Sequence, residues 1–309
     1  MKTTHRPYSD ESGDFGRVCR LIRANAADAR AHSTWCLGRF VDWKYALWGT
    51  KQTTPGFWRH NAELWLDAFG DLAGLAISES GDAEFAIVAG AGYRFLYEEM
   101  LDWALRSWGD RGPRLVTEIA ERQEIEARAL ERRGFRLGAT FYTRRFDLTR
   151  EPAARAPLEP GFTIVDMGAR PDFRQQRMLR IDGFQGKVLP EEEVQRQMEI
   201  EAYTRQGPIY HASTDLCVMA PDGRFVAGCE ALIDTHNAEA DVERVCTHSE
   251  FRRRGFARAA IQECLERLRA MGLRSAYITG YSPGAIALYG SLGHVEEYRR
   301  LIYAMPAAE

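Results

Sequence analysis

Arg252-Arg253-Arg254 stands directly before Gly255, Phe256 and Ala257. If a helix starts here, three cations meet a helix N-terminus, where the macrodipole is already positive and backbone N–H groups lack partners. That arrangement is electrostatically unfavourable unless an anion sits there. Gly255 has no Cβ and would let the backbone approach such an anion closely, while Ala257 keeps the next turn small. A diphosphate suits the place. The bland reading, an exposed basic helix start with no ligand, competes with it on equal terms.

The flanking elements support a helix start. Val242, Val245 and Cys246 mark a strand that stops near Thr247-His248. After the turn, Ala257, Ala260, Ile261, Cys264, Leu265 and Leu268 recur at helical spacing, the stripe of one buried face, and Gly272 is the stop signal. A second stretch, Ser282-Pro283-Gly284-Ala285-Ile286-Ala287-Leu288-Tyr289, reads as a short helix. Ser282 suits its N-cap and Pro283 its first position, and Gly293 suits the stop beyond it.

Together, Arg252-x-x-Gly255-x-Ala257 after Val245-Cys246-Thr247-His248, and Ala285-Ile286-Ala287-Leu288-Tyr289 before Gly293, resemble the acyl-CoA motifs of the GNAT superfamily of N-acyltransferases. The chain departs from the usual pattern in two places: Ser282 stands where the family has Asn, and His294 where it has Phe. The resemblance implies that backbone around Arg253, Gly255, Phe256 and Ala257 holds a pyrophosphate, with Arg252 and Arg254 adding charge. It further implies that Val245, Cys246 and Thr247 run beside the pantetheine arm, and that Ser282, Ala285 and Tyr289 belong to the cofactor site. Tyr289 is expected as the acid that protonates the leaving thiolate, against a purely packing tyrosine. Glu243 is expected as the general base, placed by period two on the face of Val245 and Thr247, with His248 as second choice. A solvent-facing or ion-paired Glu243 competes with that role.

Composition sets the outer bounds. At 309 residues two domains are expected; 45% hydrophobic and 28% charged residues describe an ordinary globular chain. A net charge of −3 gives no global case for nucleic acid or an anionic membrane. Cys19, Cys36, Cys217, Cys229, Cys246 and Cys264 form no C-x-x-C pair, and buried free thiols in a reducing compartment follow. Neither a charged-then-apolar leader nor an 18-residue apolar run is seen, so the protein is expected to be cytoplasmic. The histidines show no metal-ligand spacing and no metal is expected. No G-x-S-x-G elbow supports an acyl-enzyme route.

Along the chain, residues 1–9 read as loose. Helical spacing follows from Phe15 to Ala31, then an aromatic stretch through Trp35, Phe40, Trp43, Tyr45, Trp48 and Trp58, read as packing rather than as a substrate cleft. Period-two residues from Glu63 to Ile77 form a hairpin, Glu84–Ala89 and Leu115–Ile119 strands, Tyr93–Trp108 and Glu121–Arg133 helices, and Phe141–Leu148 a strand. The second half repeats that order: strand Phe162–Met167, helices Pro171–Phe184 and Glu191–Tyr203, strands Leu216–Met219, Phe225–Ile233 and Ser275–Tyr281, and a last strand Arg300–Met305. We read an internal duplication: an α/β fold with mixed sheets, as two tandem GNAT-like three-layer α/β/α domains. Residues 1–150 form a degenerate copy whose turn offers only Gly90-x-Gly92-Tyr93-Arg94, residues 151–160 a Pro-rich linker, and residues 161–309 the catalytic copy.

The reaction this implies is transfer of acetyl from acetyl-CoA to a primary amine, small-molecule or peptide, in a ternary complex. A non-catalytic acyl-CoA-binding or regulatory module is the rival. The first copy would shape the acceptor site or serve dimerisation, which leaves a homodimer open.

Overall fold

The computed structural model describes residues 2–29, 34–47, 51, 53–151, 155 and 157–306. Trp48, within the aromatic stretch, and Pro152, in the expected linker, lie outside these. The chain folds as two compact units, Met1–Tyr142 with Tyr298–Glu309, and Thr143–Glu297. That differs from a break at residues 151–160. Each half's last strand belongs, wholly or in part, to the other half's unit: Thr143–Asp147 falls in the second unit, and the strand leading to Ala304 in the first.

The first unit contains β1 (Thr4–Pro7), α1 (Asp14–Ala29), α2 (Leu37–Tyr45), α3 (Phe57–Asn61), β2 (Ala62–Leu66), β3 (Leu72–Ile77), β4 (Glu84–Ala89), α4 (Tyr97–Trp108), β5 (Val116–Ala120) and α5 (Glu124–Arg132). β12 (Glu296–Ala304) completes its sheet in the order β1-β2-β3-β4-β5-β12. Residues 1–9 are not loose as expected: Thr4–Pro7 pairs antiparallel with Glu63–Leu66. Four residues are too few for periodicity to reveal a strand. α4 also starts later than its spacing suggests, because Ala91–Leu96 forms a 3₁₀ turn in which Tyr93 is non-helical at φ −123°. The aromatic stretch is core. Trp35, Phe40, Trp43 and Phe57 are buried, with Phe40 stacked on Trp43 and Tyr8 edge-on to it.

The second unit is built from β6 (Arg136–Asp147, from Thr143 onward), β7 (Thr163–Asp166), α6 (Phe173–Gln185), α7 (Glu191–Thr204), β8 (Tyr210–Met219), β9 (Phe225–Asp234), β10 (Glu239–Thr247), α8 (Phe256–Ala270), β11 (Ser275–Gly280) and α9 (Pro283–Gly290). Its sheet runs β6-β11-β10-β9-β8-β7; β10 and β11 run parallel, and the β10–β9, β9–β8 and β8–β7 pairs antiparallel. α8 buries Ala260, Ile261, Cys264, Leu265 and Leu268 against one face of β8, β9 and β10, as the stripe predicts. α6 covers the opposite face, where Leu179 packs with Cys217 and Cys246. Two helical layers therefore enclose one sheet, the three-layer arrangement expected. The six cysteines are free thiols. No described helix is long and apolar enough to cross a membrane.

Two described residues of the expected linker are held by α8 and the turn before it. Arg155 forms an ion pair with Glu263 of α8, and Glu159 accepts from Arg254 at 2.9 Å. His294 does the packing work of the expected Phe, lying edge-on to Phe146 at 6.5 Å.

β12 carries one buried ion pair. Arg300 donates to both oxygens of Glu118 at 3.0 Å, and Arg39 also pairs with that carboxylate. Replacing one partner of a buried pair strands the other charge. Arg300→Leu should therefore cost about 3 kcal/mol in urea melts, whereas Arg299→Leu, at the exposed pair with Glu121, should cost less than about 0.5 kcal/mol. Equal effects would show that β12 does not anchor the unit through Glu118.

Candidate active site

The site begins where two parallel strands part. β10 and β11 pair over three residues only, Glu239↔Ser275, Ala240↔Ala276 and Asp241↔Tyr277. Beyond Asp241 no further β10–β11 register pair follows among the described residues, and a gap opens beside Val245 to Thr247. On its other side β10 stays bonded to β9, through a bulge: Glu243↔Glu230 is followed by Cys246↔Gly228. Two residues, Arg244 and Val245, oppose one, and Arg244 takes a left-handed φ of 51°.

The bulge overturns the period-two expectation for Glu243. Glu243 and Cys246 share the α6 face, whereas Val245 packs against the α8-side core and Thr247 lies opposite Ala227 of that core. The approach of α6 is close. A Cβ on Gly183 would come within 2.9 Å of Cys246 Cβ, so only glycine fits there. Burial pushes the Cys246 thiol up to about 12, which rules it out as a nucleophile at neutral pH.

β10 ends at His248, whose Nδ1 accepts from Glu250 N at 3.3 Å and so caps a short 3₁₀ turn, Ser249–Phe251. Asp182 of α6 accepts from Ser249 N at 2.5 Å and from its hydroxyl at 2.9 Å, with His248 Nδ1 3.6 Å away. These contacts give His248 a structural task. The arginine run follows. Arg253 and Gly255 both take left-handed φ, 66° and 83°, on either side of Arg254. Gly255 is the N-cap of α8 and has no side chain to cap it, and an added Cβ would meet nothing within 4 Å. The first helical bond, Ala259 N to Gly255 O at 3.0 Å, leaves the N–H groups of Phe256, Ala257 and Arg258 without acceptors in the helix. An uncapped helix start of this kind carries partial positive charge and is chemically able to accept an anion.

The three arginines do not share one task. Arg254 is bound to Glu159 and lies over Phe162, Phe251 and Phe256, with Cζ 5.0–5.2 Å from each ring centroid. It holds the turn together. Arg252 donates to Gly183 O at 3.0 Å, fixing the turn to α6. Arg253, exposed and left-handed, is the one whose charge is free to answer an anion.

Across the gap, α9 is held by its own cap, Ser282 Oγ accepting from Ala285 N at 3.3 Å. Arg258 of α8 ties its far end, donating to Ser291 O at 3.1 Å and Ser291 Oγ at 2.6 Å. This fixes Tyr289, which is 6% exposed. Burial, then the negative charge of Glu243, raises the Tyr289 phenol above its ordinary value. Tyr289 and Glu243 are therefore within electrostatic reach of one another.

Beneath Glu243 lies a set of groups that motif reading missed. Asp215, Glu230 and Glu243 stand in register on adjacent strands β8, β9 and β10. Arg180 of α6, fully buried, donates to Asp215 at 3.1 Å, Glu230 at 2.8 Å and Glu201 of α7 at 3.2 Å. Arg244 donates to the other Glu230 oxygen at 2.9 Å. The sequence did carry a signal: Glu230 interrupts the apolar run Phe225–Ile233, and Arg180 sits between Leu179 and Ile181. A charge within an apolar run marks a buried ion pair.

Comparison with known proteins agrees with this geometry. Residues 183–294 match the family model described as Acetyltransferase (GNAT) family, a stretch that holds the turn, Glu243 and Tyr289. The second half of the chain contains a GNAT domain. A GCN5-related N-acetyltransferase from Sphaerobacter thermophilus is similar over 99% of this chain and 97% of its own, with 17% identity and a TM-score of 0.65. A tandem GNAT protein from the clavulanic acid biosynthesis pathway is similar over 100% and 99%, with 15% identity and a TM-score of 0.67. A putative acetyltransferase from Pyrococcus horikoshii is similar over 99% and 90%, with 12% identity and a TM-score of 0.51. These likenesses establish a tandem GNAT fold across the chain. A search of curated proteins found no match.

The first unit has the same strand opening but different contents from the GNAT domain. β4 and β5 pair only at Glu84↔Val116 and Phe85↔Thr117, and a cavity of about 310 Å³ follows. Here the strand ends are already satisfied. Asn25 Nδ2 donates to Ala89 O at 2.9 Å, and Gln123 Oε1 accepts from Ala120 N at 2.8 Å. Arg94 is bound on two sides by Glu126 at 2.8 and 2.9 Å, a buried carboxylate unsuited to a neighbouring diphosphate.

Two expectations follow. Gly255→Glu places a negative charge on the anion site and forces a left-handed residue costing about 1–2 kcal/mol. Acetyl-CoA binding by calorimetry should fall at least about 100-fold, whereas Arg254→Met should mainly lower the melting temperature. Undiminished binding in a folded Gly255→Glu protein would place the cofactor elsewhere. Separately, the Arg180 and Arg177 guanidiniums hold the buried Glu201 at about 2, below the ordinary 4.5. A depressed carboxylate stabilises above its unfolded value and loses that contribution as pH falls through the folded one. Glu201→Gln should cost about 3 kcal/mol at pH 7, with the difference from wild type closing between pH 4.5 and 2.

Proposed function

We propose that the protein is an acyl-CoA-dependent N-acetyltransferase that moves acetyl from acetyl-CoA to a primary amine, small-molecule or peptide, by direct attack. The observation that carries this reading is the uncapped start of α8 at Gly255, at the end of a strand whose edge is open. A pyrophosphate accepts from the N–H groups of Phe256, Ala257 and Arg258, and Arg253 offsets its charge. The pantetheine arm pairs with the free edge of Val245 to Thr247, and one N–H there receives the carbonyl oxygen as it becomes negative.

Proton balance assigns the remaining groups. Glu243 takes one proton from the acceptor ammonium, and the neutral amine attacks the thioester carbon. Collapse of the tetrahedral intermediate breaks the C–S bond. Tyr289 gives its proton to the departing sulfur and recovers one from the nitrogen, so one proton in total is released to solvent. A phenol whose proton affinity is raised stays protonated through neutral pH, as an acid requires.

The burial of Tyr289 also favours a second reading, a non-catalytic acyl-CoA-binding module in which that phenol only packs. Release of free thiol from acetyl-CoA, measured against an amine panel, separates the two. The transferase releases thiol with at least one amine. Tyr289→Phe then slows it about 10- to 100-fold and Glu243→Gln by about 100-fold or more. Tight acetyl-CoA binding without thiol release from any amine would leave the binding module.

A further inference from the structure

The bulge in β10 does more than open the strand edge. By putting Arg244 and Val245 where one residue would stand, it turns the Arg244 side chain to the α6 side, where its guanidinium reaches Glu230. Both Glu230 oxygens are then taken, Oε1 by Arg244 at 2.9 Å and Oε2 by Arg180 at 2.8 Å. Glu230 lies directly opposite Glu243 across the β9–β10 ladder. We propose that Arg244 is a positioning residue: with Arg180 it locks Glu230 as a fixed anion, so that the proton drawn from the acceptor is taken by Glu243 and not shared with its cross-strand neighbour.

The role of Glu243 as base rests on the acyl-transfer reading, whereas the clamp on Glu230 does not. Two carboxylates directly opposite on adjacent strands would otherwise compete for one proton, each raising the other's affinity for it. A base shared in that way lowers the chance that the proton leaves the amine for the group nearest the thioester. Arg244 holds a left-handed conformation that is unfavourable in a residue with a Cβ, and its charge-assisted bond to the buried carboxylate offsets that cost.

Charged and titratable groups surround this pair. α6 contributes Arg177, Arg180 and Gln176; α7 contributes Glu201, with Arg205 just beyond its end. β8 contributes Tyr210, Asp215 and Cys217, and β10 Cys246. The charge of Glu243 is felt by the Tyr289 phenol of α9. Asp215 is pushed up to about 7 by burial and by the Glu230 charge. Glu230 accepts from two guanidiniums, those of Arg180 and Arg244.

Carboxyl ¹³C titration of glutamate-labelled full-length protein tests this without an acceptor, with Glu243→Gln and Glu230→Gln assigning the two signals. In the wild type Glu243 should titrate in a single step while Glu230 stays ionised between pH 4 and 9. Arg244→Asn removes the cation but tolerates the left-handed backbone; it should move the Glu230 midpoint up by one pH unit or more, a tenfold change in proton affinity, and make the Glu243 curve biphasic. Arg244→Lys should restore the wild-type curves. An Arg244→Asn protein of unchanged circular dichroism whose Glu230 midpoint moves less than 0.3 unit would overturn the proposal, as would a biphasic Glu243 curve in the wild type. The predicted shifts in a protein that releases no thiol with any amine would keep the clamp and sink only the acyl-transfer reading.

Discussion

One additional residue in β10 sets the geometry of the second unit's site. Without it, strand alternation would carry Glu243, Val245 and Thr247 to one face, and Arg244 would point into the apolar layer under α8. With it, the acid and the guanidinium share the α6 side, Cys246 drops under Gly183, and the strand departs from β11 after three paired residues. A left-handed arginine is an unfavourable way to build a strand. Here it is retained because the buried carboxylates of β8 and β9 need a second cation beside Arg180.

The turn at Gly255 and this buried charge cluster are held from a common side. Arg252 reaches the carbonyl of Gly183, Asp182 binds Ser249, and Arg180 lies on the same helix. α6 therefore positions both the anion site and the carboxylate row, and its close approach at Gly183 lets one helix serve both. Arg254 completes the frame from outside, sandwiched among Phe162, Phe251 and Phe256 and neutralised by Glu159.

Much of this was legible in the sequence, because it depends on local spacing. The stripe from Ala257 to Leu268, the Ser282 cap and the stop at Gly272 depend on residues within a turn or two of each other. Other features were not legible, for reasons that are physical. A bulge changes which face a residue takes without changing the residues, so period-two reasoning placed Glu243 with Val245. β1 is four residues long and takes its identity from pairing with β2. The roles of Arg254 and Glu159 separated from those of their neighbours only in three dimensions, since nothing in Arg252-Arg253-Arg254 says which guanidinium finds a carboxylate 95 positions away. In the first unit, Asn25 and Gln123 close the strand ends through contacts that no motif encodes.

The exchange of terminal strands has a consequence for how the molecule comes into being. Residues 143–297 hold all of β7 to β11 and the end of β6, so that sheet needs no strand that is synthesised later. The first unit, although synthesised earlier, has β5 waiting for Arg300–Ala304. Its edge remains bare, with Glu118 lacking one of its guanidinium partners, throughout translation of the intervening residues. Nascent domains usually close in the order they emerge; here the first unit's sheet needs a strand from the end of the second half. The period of exposure falls on the half whose strand opening is already capped by its own side chains.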